Sequence, residues 1–267
     1  MGALRLYFRY VAVSLRAQML YPAAFLLGMV ANFLGTAIGF VGIWALFVRF
    51  HQVRGWHFGE VALFYAVVNI AFSLADATTR GFDIFGPQFV KTGNFDRLLL
   101  RPRPPTLQLM GYELRLSMFG RLLQGLIVLA IALDLLRPQW GLREALLLAW
   151  TVMGGVALFT GVLILQATLA FWTVESLEIA NTISYGGVEA GQYPLDIYAA
   201  WFRRFLIFIV PIGCVSYFPV ATLLGRADTT GAPPWLAVST PMAGFAFLAI
   251  ALVAWKSGVR RYTSTGS

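Results

Sequence analysis

Between Pro22 and Val48 the sequence runs for twenty-seven residues without a charged side chain. About twenty apolar residues carry an α-helix across a bilayer, so this run by itself is long enough to span one. Five further apolar runs cover approximately 58–79, 110–136, 142–170, 204–224 and 235–256, the third helix starting near Thr106. A backbone crossing hydrocarbon must satisfy its own N–H and C=O groups, which restricts it to helices or a closed barrel. The runs are continuous, not alternating, so the expectation is an all-α polytopic membrane protein with six transmembrane helices. Composition agrees: 12% of residues are Asp, Glu, Lys or Arg, about half the share in a soluble domain.

Residues 1–21 differ from the runs that follow. Leu4, Phe8, Val11, Leu15 and Met19 recur at helical spacing opposite Arg5, Arg9 and Arg16. That pattern predicts an N-terminal interfacial amphipathic helix with its arginines toward lipid phosphates. The net charge of +8 is gathered at span ends, where it fixes orientation, and therefore does not indicate a nucleic-acid partner. Placing both termini in the cytosol puts fifteen of the twenty Lys and Arg inside and five outside, the bias that the positive-inside rule selects. Residues 171–203, with Glu175, Glu178, Glu189 and Asp196, then read as a cytosolic or interfacial connection. A seventh short membrane element there is the alternative. The whole of 1–267 reads as one transmembrane domain.

The cytosolic loop 80–108 contains a short helix marked at both ends. Gly93-Asn94 opens it, with Asn94 placed to cap free N–H groups. Asp96 and Arg101 suit the two ends of the helix dipole, and Pro102 stops it. Such a helix, tethered to spans two and three, is either a lever for a partner or an ordinary polar loop with a helical turn.

Several chemistries are excluded by inventory. The two lysines, Lys91 and Lys256, lie in no G-x-x-x-x-G-K-[ST] context, so the chain supplies no P-loop. His51, His57 and Glu60 share a loop without metal-ligand spacing, and the one cysteine, Cys214, permits neither an intrachain disulfide nor a thiolate cluster. Within the spans, Asp76 is positioned for an i,i+4 pair with Arg80 or for contact with a cationic substrate. Arg121 shares a helix face with Glu113 and can snorkel toward cytosolic headgroups. Asn32, Asn69 and Gln124 either bond a neighbouring helix or face a pathway. Gly35 and Gly39 form G-x-x-x-G, and Pro211 and Pro219 bend span five.

The stretch "GNFDRLLLRPRPPTLQ" (93–108) resembles the cytosolic signature of the type-2 ABC transporter permeases, and more narrowly their six-span bacterial branch of multidrug or viologen exporters. Gly93, Asp96, Leu99, Arg101, Pro102, Pro105 and Gln108 carry the match, and Arg103-Pro104 departs from it. "YPLDIY" (193–198) and "FIVPIGCVSYFPVATLLG" (208–225) resemble the family's Tyr-Pro turn and fifth span, with Pro211, Ser216, Tyr217, Pro219 and Gly225 in place.

The resemblance implies a coupling helix made by Gly93, Asn94, Phe95, Asp96, Arg97, Leu98, Leu99, Arg101 and Pro102, docking on separate P-loop ATPase subunits. ATP and Mg would bind there and no cofactor in this chain. It implies a second permease half, either a related chain or a copy, in a bacterial cytoplasmic membrane. It also implies efflux of small amphipathic compounds, cations among them, along a path for which Asn32, Asn69, Asp76 and Gln124 are candidates. The competing reading is an ion-gradient-driven transporter or channel, which needs an ionisable group at mid-membrane. The spans show none there beyond amides.

Overall fold

The computed structural model describes residues 3–172, 185–226 and 234–263. Long helices dominate: α1 (Ala3–Met19), α2 (Pro22–Phe50), α3 (Phe58–Thr78), α7 (Met118–Leu136), α8 (Leu142–Leu169) and α14 (Met242–Arg261). Between α3 and α7 lie three short helices, α4 (Arg80–Asp83), α5 (Asn94–Leu99) and α6 (Pro105–Met110), with one π-turn at Gly86–Val90. Between α8 and α14 lie α9 (185–191), α10 (Ala200–Phe208), α11 (Ile212–Val215), α12 (Tyr217–Leu223) and α13 (Pro234–Ser239). Among the described residues, five helices are long and apolar enough to cross a membrane, and a sixth candidate, α10 with α11–α12, is bent by 70°.

The helix α3 is the axis, buried along nearly its whole length, with α7 and α8 against it, α14 on α8 and α2 on α7. Without a hydrophobic drive between helices in lipid, close approach depends on small residues. A Cβ on Gly120 would lie 1.9 Å from the Met29 carbonyl, and one on Gly244 would lie 2.0 Å from the Gly154 carbonyl. These glycines set the α2–α7 and α8–α14 spacings. Gly35 and Gly42 meet nothing within 4 Å, so the two glycines leave an open strip on α2.

Span three differs from the expectation. The helix does not run from Thr106; α6 stops at Met110 and α7 starts at Met118. The break between them is stitched by other elements. The N–H of Arg115 donates to the Ala77 carbonyl at 3.0 Å. From α1, the Ser14 hydroxyl accepts from the Leu114 N–H at 2.9 Å, and Gln18 Nε2 donates to the Leu114 carbonyl. The backbone groups of Leu114 and Arg115 in the break thus find partners, and α1 is fixed to the bundle through its polar Ser14 and Gln18 while Phe8, Val13 and Met19 remain exposed.

At one end of α3 a two-stranded hairpin, β1 (Gln52–Val53) with β2 (Trp56–His57), pairs Gln52 with His57 and Val53 with Trp56. Its turn has positive φ at both Arg54 and Gly55, the primed geometry that two-residue hairpins require. The His57 N–H donates to Glu60 Oε2 at 2.7 Å, so Glu60 caps α3. At the other end lie α4 to α6, the start of α7 and the end of α14. These two ends are called the hairpin end and the arginine-rich end.

The connection 171–203 also differs from the expectation. Residues 173–184 lie outside the described residues. From there α9 climbs α3: the Tyr185 ring is 5.6 Å from Phe72, a Cβ on Gly191 would lie 3.5 Å from Val68, and Trp56 Nε1 donates to the Asp196 carboxylate. Residues 185–196 therefore run to the hairpin end and do not stay at the arginine-rich end. After α10 to α12, Arg226 returns to the same hairpin, its Nη2 donating to the Gly55 carbonyl at 2.8 Å. Both limits of the bent pair are on one side, so it is re-entrant and not a span. Because α8 ends near Phe171 at the arginine-rich end and α14 descends from the hairpin end, the crossing between them falls before Asp196. Arg203 and Arg204 move to the hairpin side, leaving thirteen of the twenty Lys and Arg at the other end.

Candidate functional site

Gly93 opens α5 with a φ of +67°, a left-handed conformation that glycine adopts without the Cβ penalty. Asn94 is the first helical residue, not the cap. Its Nδ2 donates backward to the Gln88 carbonyl at 3.2 Å and to Thr92 Oγ1 at 2.8 Å, tying α5 to the preceding turn. At the exit, Gln108 Nε2 donates to the carbonyls of Leu98 (3.1 Å) and Arg103 (3.0 Å), holding the proline-rich return.

The faces of this helix are divided. Phe95 is fully buried and Leu98 nearly so, whereas Arg97, Leu99, Leu100 (85% exposed), Arg101 and Pro102 face outward. The Phe95 ring meets Phe85 at 5.0 Å, Tyr262 at 4.9 Å and Phe171 at 5.6 Å, and Trp255 packs on Phe85 at 4.8 Å. Phe171 follows α8, Trp255 lies on α14 and Tyr262 just beyond it. A six-residue helix tethered in sequence to α3 and α7 is thus footed on the ends of α8 and α14. Burial, together with the neighbouring Asp96 carboxylate, pushes the Tyr262 phenol up from its ordinary value. Sequence reading missed this socket because Trp255 falls where an interfacial aromatic is expected in any case.

The polar residues of the spans form a second arrangement. Asp76 does not pair with Arg80, which bonds Asp83 instead. It accepts from Arg115 Nη1 at 3.0 Å, a residue of the α6–α7 break, and its other oxygen has no partner. Arg121 does not turn toward the headgroups or share a helix face with Glu113, which precedes α7. Its Nε donates to Asn69 Oδ1 at 2.8 Å, and its guanidinium lies 4.6 Å above the Phe72 ring. Gln124, one turn on, is buried with Oε1 unpartnered. Asn69, Asp76 and Gln124 therefore share the α3–α7 seam, while Asn32 bonds the Gly28 carbonyl within α2. The expectation that no ionisable group reaches the middle of the spans fails at Arg121, which meets α3 at Asn69 and Phe72; Glu189 is exposed on α9.

A family model described as "ABC-2 family transporter protein" matches residues 33–266. The chain belongs to this family. No curated protein and no solved structure matches it. Membership makes the chain the membrane subunit of an ABC-2 transporter, a multi-pass protein whose family works with ATPase subunits. The match includes α5, its aromatic socket and the α3–α7 seam. Among the described residues of this ABC-2 protein, no group of three or more His, Cys, Asp or Glu is arranged to hold a metal ion.

Proposed function

We propose that this chain is one permease half of an ATP-driven exporter of small amphipathic compounds in a bacterial cytoplasmic membrane, with α5 as its coupling helix. The observation that carries the reading is the division of α5. Phe95 is buried among residues from α8 and α14, while Leu99, Leu100, Arg97 and Arg101 stand free to meet another protein. Exposed leucines beside arginines suit an interface with an apolar centre and a charged rim.

The arginine-rich end faces the cytosol under the positive-inside rule. ATP and Mg bind to separate P-loop subunits, whose closure pushes on Leu99 to Pro102. Phe95 passes the displacement to α8 and α14, and the chain connections pass it to α3 and α7. Four of the six crossings then move together, and the path between two permease halves changes its open side. The second half is a related chain or a copy of this one.

The test is to extract C-terminally tagged protein gently from its native membrane and identify what co-purifies. A stoichiometric P-loop ATPase is expected, and Leu100→Glu with Arg97→Glu should release it without lowering the permease's melting temperature. Recovery of copies of this chain alone, or an ATPase indifferent to both changes, would overturn the reading.

A further inference from the structure

Glu189 is an exposed carboxylate at a depth where lipid would otherwise meet it. Its neighbour Val188 is buried against Val68, Ala71, Phe72 and Ala75, the middle and lower half of α3. A charge at the bilayer centre costs about 2.5–3.5 kcal/mol even on insertion scales, and such groups face a partner or a water-filled cavity. One helical turn earlier on the same side is Tyr185, 39% exposed, its ring edge-on to Phe72. Phe72 in turn carries the Arg121 guanidinium on its ring.

A cation and an anion therefore share one seam. The ion pairs among the described residues are Arg80–Asp83, Arg115–Asp76 and Arg226–Glu60, so Arg121 and Glu189 close none with each other. Among the described residues the hydrogen bond of Arg121 runs from Nε to Asn69, and its two Nη groups make none there. Gln124 adds a buried, unpartnered carbonyl oxygen to the same wall.

Two opposite charges placed along one seam without closing an ion pair match a ligand that carries both. We propose that this seam is the substrate site of the permease and that it selects zwitterionic amphipaths. The ligand's anionic group is held by the Nη groups of Arg121 and its ammonium by Glu189, with an apolar part against Phe72 and Tyr185. This inference rests on the reading of the chain as a transporter half.

The experiment measures equilibrium binding to the permease, purified with its ATPase partner in nanodiscs. The probes are three dodecyl amphipaths with a dansyl group at the chain end and phosphoethanolamine, trimethylammonium or sulfate heads. Wild type is expected to favour the phosphoethanolamine probe by at least about tenfold, the weight of one charge-assisted hydrogen bond. Glu189→Gln should shift the preference to the sulfate probe, and Arg121→Gln to the trimethylammonium probe. A reversal of charge preference cannot arise from loss of fold. Equal weakening of all three probes by either variant, or a wild type that binds the trimethylammonium probe tightest, would overturn the site. Retention of the ATPase in every sample separates that failure from failure of the exporter reading.

Discussion

The indole Nε1 of Trp56 donates to both oxygens of the Asp196 carboxylate, at 3.0 and 2.9 Å, across 140 residues of sequence. Arg54 Nη1 adds a bond to the Asp196 carbonyl at 3.2 Å, and Arg226 lies 4.4 Å above the Trp56 ring while pairing with Glu60. Trp56 is thus a post to which both limits of the re-entrant segment are tied. Its position at the hairpin end of α3 determines on which side each connection lies.

With Cys214 replaced by Ala, a single cysteine at exposed Ala199 should react in intact cells with a maleimide that cannot cross the membrane. One at exposed Lys91 should react only after permeabilisation. Labelling of both positions under the same condition would refute the re-entrant arrangement.

Phe95→Ala empties the socket formed by Phe85, Phe171, Trp255 and Tyr262. Removing a fully buried phenylalanine costs about 3–5 kcal/mol, so a lower thermal midpoint in detergent is expected. The variant should still retain the ATPase through Leu100 and Arg97, but ATP hydrolysis should no longer drive export. Export at the wild-type rate per ATP would show that force does not pass through this ring.

Gly120→Ala drives a methyl into the Met29 carbonyl and must separate α2 from α7. We expect a loss of at least about 2 kcal/mol, seen as poor expression and a lowered unfolding midpoint, because overpacking forces backbone shifts. Gly35→Ala, on α2 with open space around it, should leave the monomer's stability unchanged. Equal effects at the two positions would contradict the packing described.

Tyr198, at the hairpin end, donates its hydroxyl to the Ala190 carbonyl at 3.0 Å, and burial pushes its phenol up to about 12. An unfolded tyrosine ionises near about 10. The folded state therefore holds the proton more tightly, and the resulting stability is fully present below about pH 10 and lost as pH rises through the folded value. The stability difference between wild type and Tyr198→Phe should be largest below that point and close toward pH 12. Chemical denaturation across this window checks it, and a constant difference would refute the assignment.

The sequence by itself determined the membrane class, most span limits and the short helix at 94–99. Each depends on one-dimensional information: twenty-seven residues without a charge at Pro22–Val48, or a glycine and a proline bracketing a two-turn helix. Asn69, Asp76 and Gln124 could be picked out because polar atoms in an apolar run are rare. Their partners could not. Asp76 met Arg115 in place of nearby Arg80, because the helix breaks before Met118 and folds that arginine back under α3. Arg121 points into the bundle because Asn69 and Phe72 receive it there, a direction that residue spacing does not encode. The crossing before Asp196 escaped hydropathy because α9 carries Glu189 and Tyr185 on its open side and is kept at depth by Val188 against α3. The tertiary structure alone decided these points, since polar groups in a membrane are positioned by the neighbours that satisfy them, and those neighbours lie tens to more than a hundred residues away.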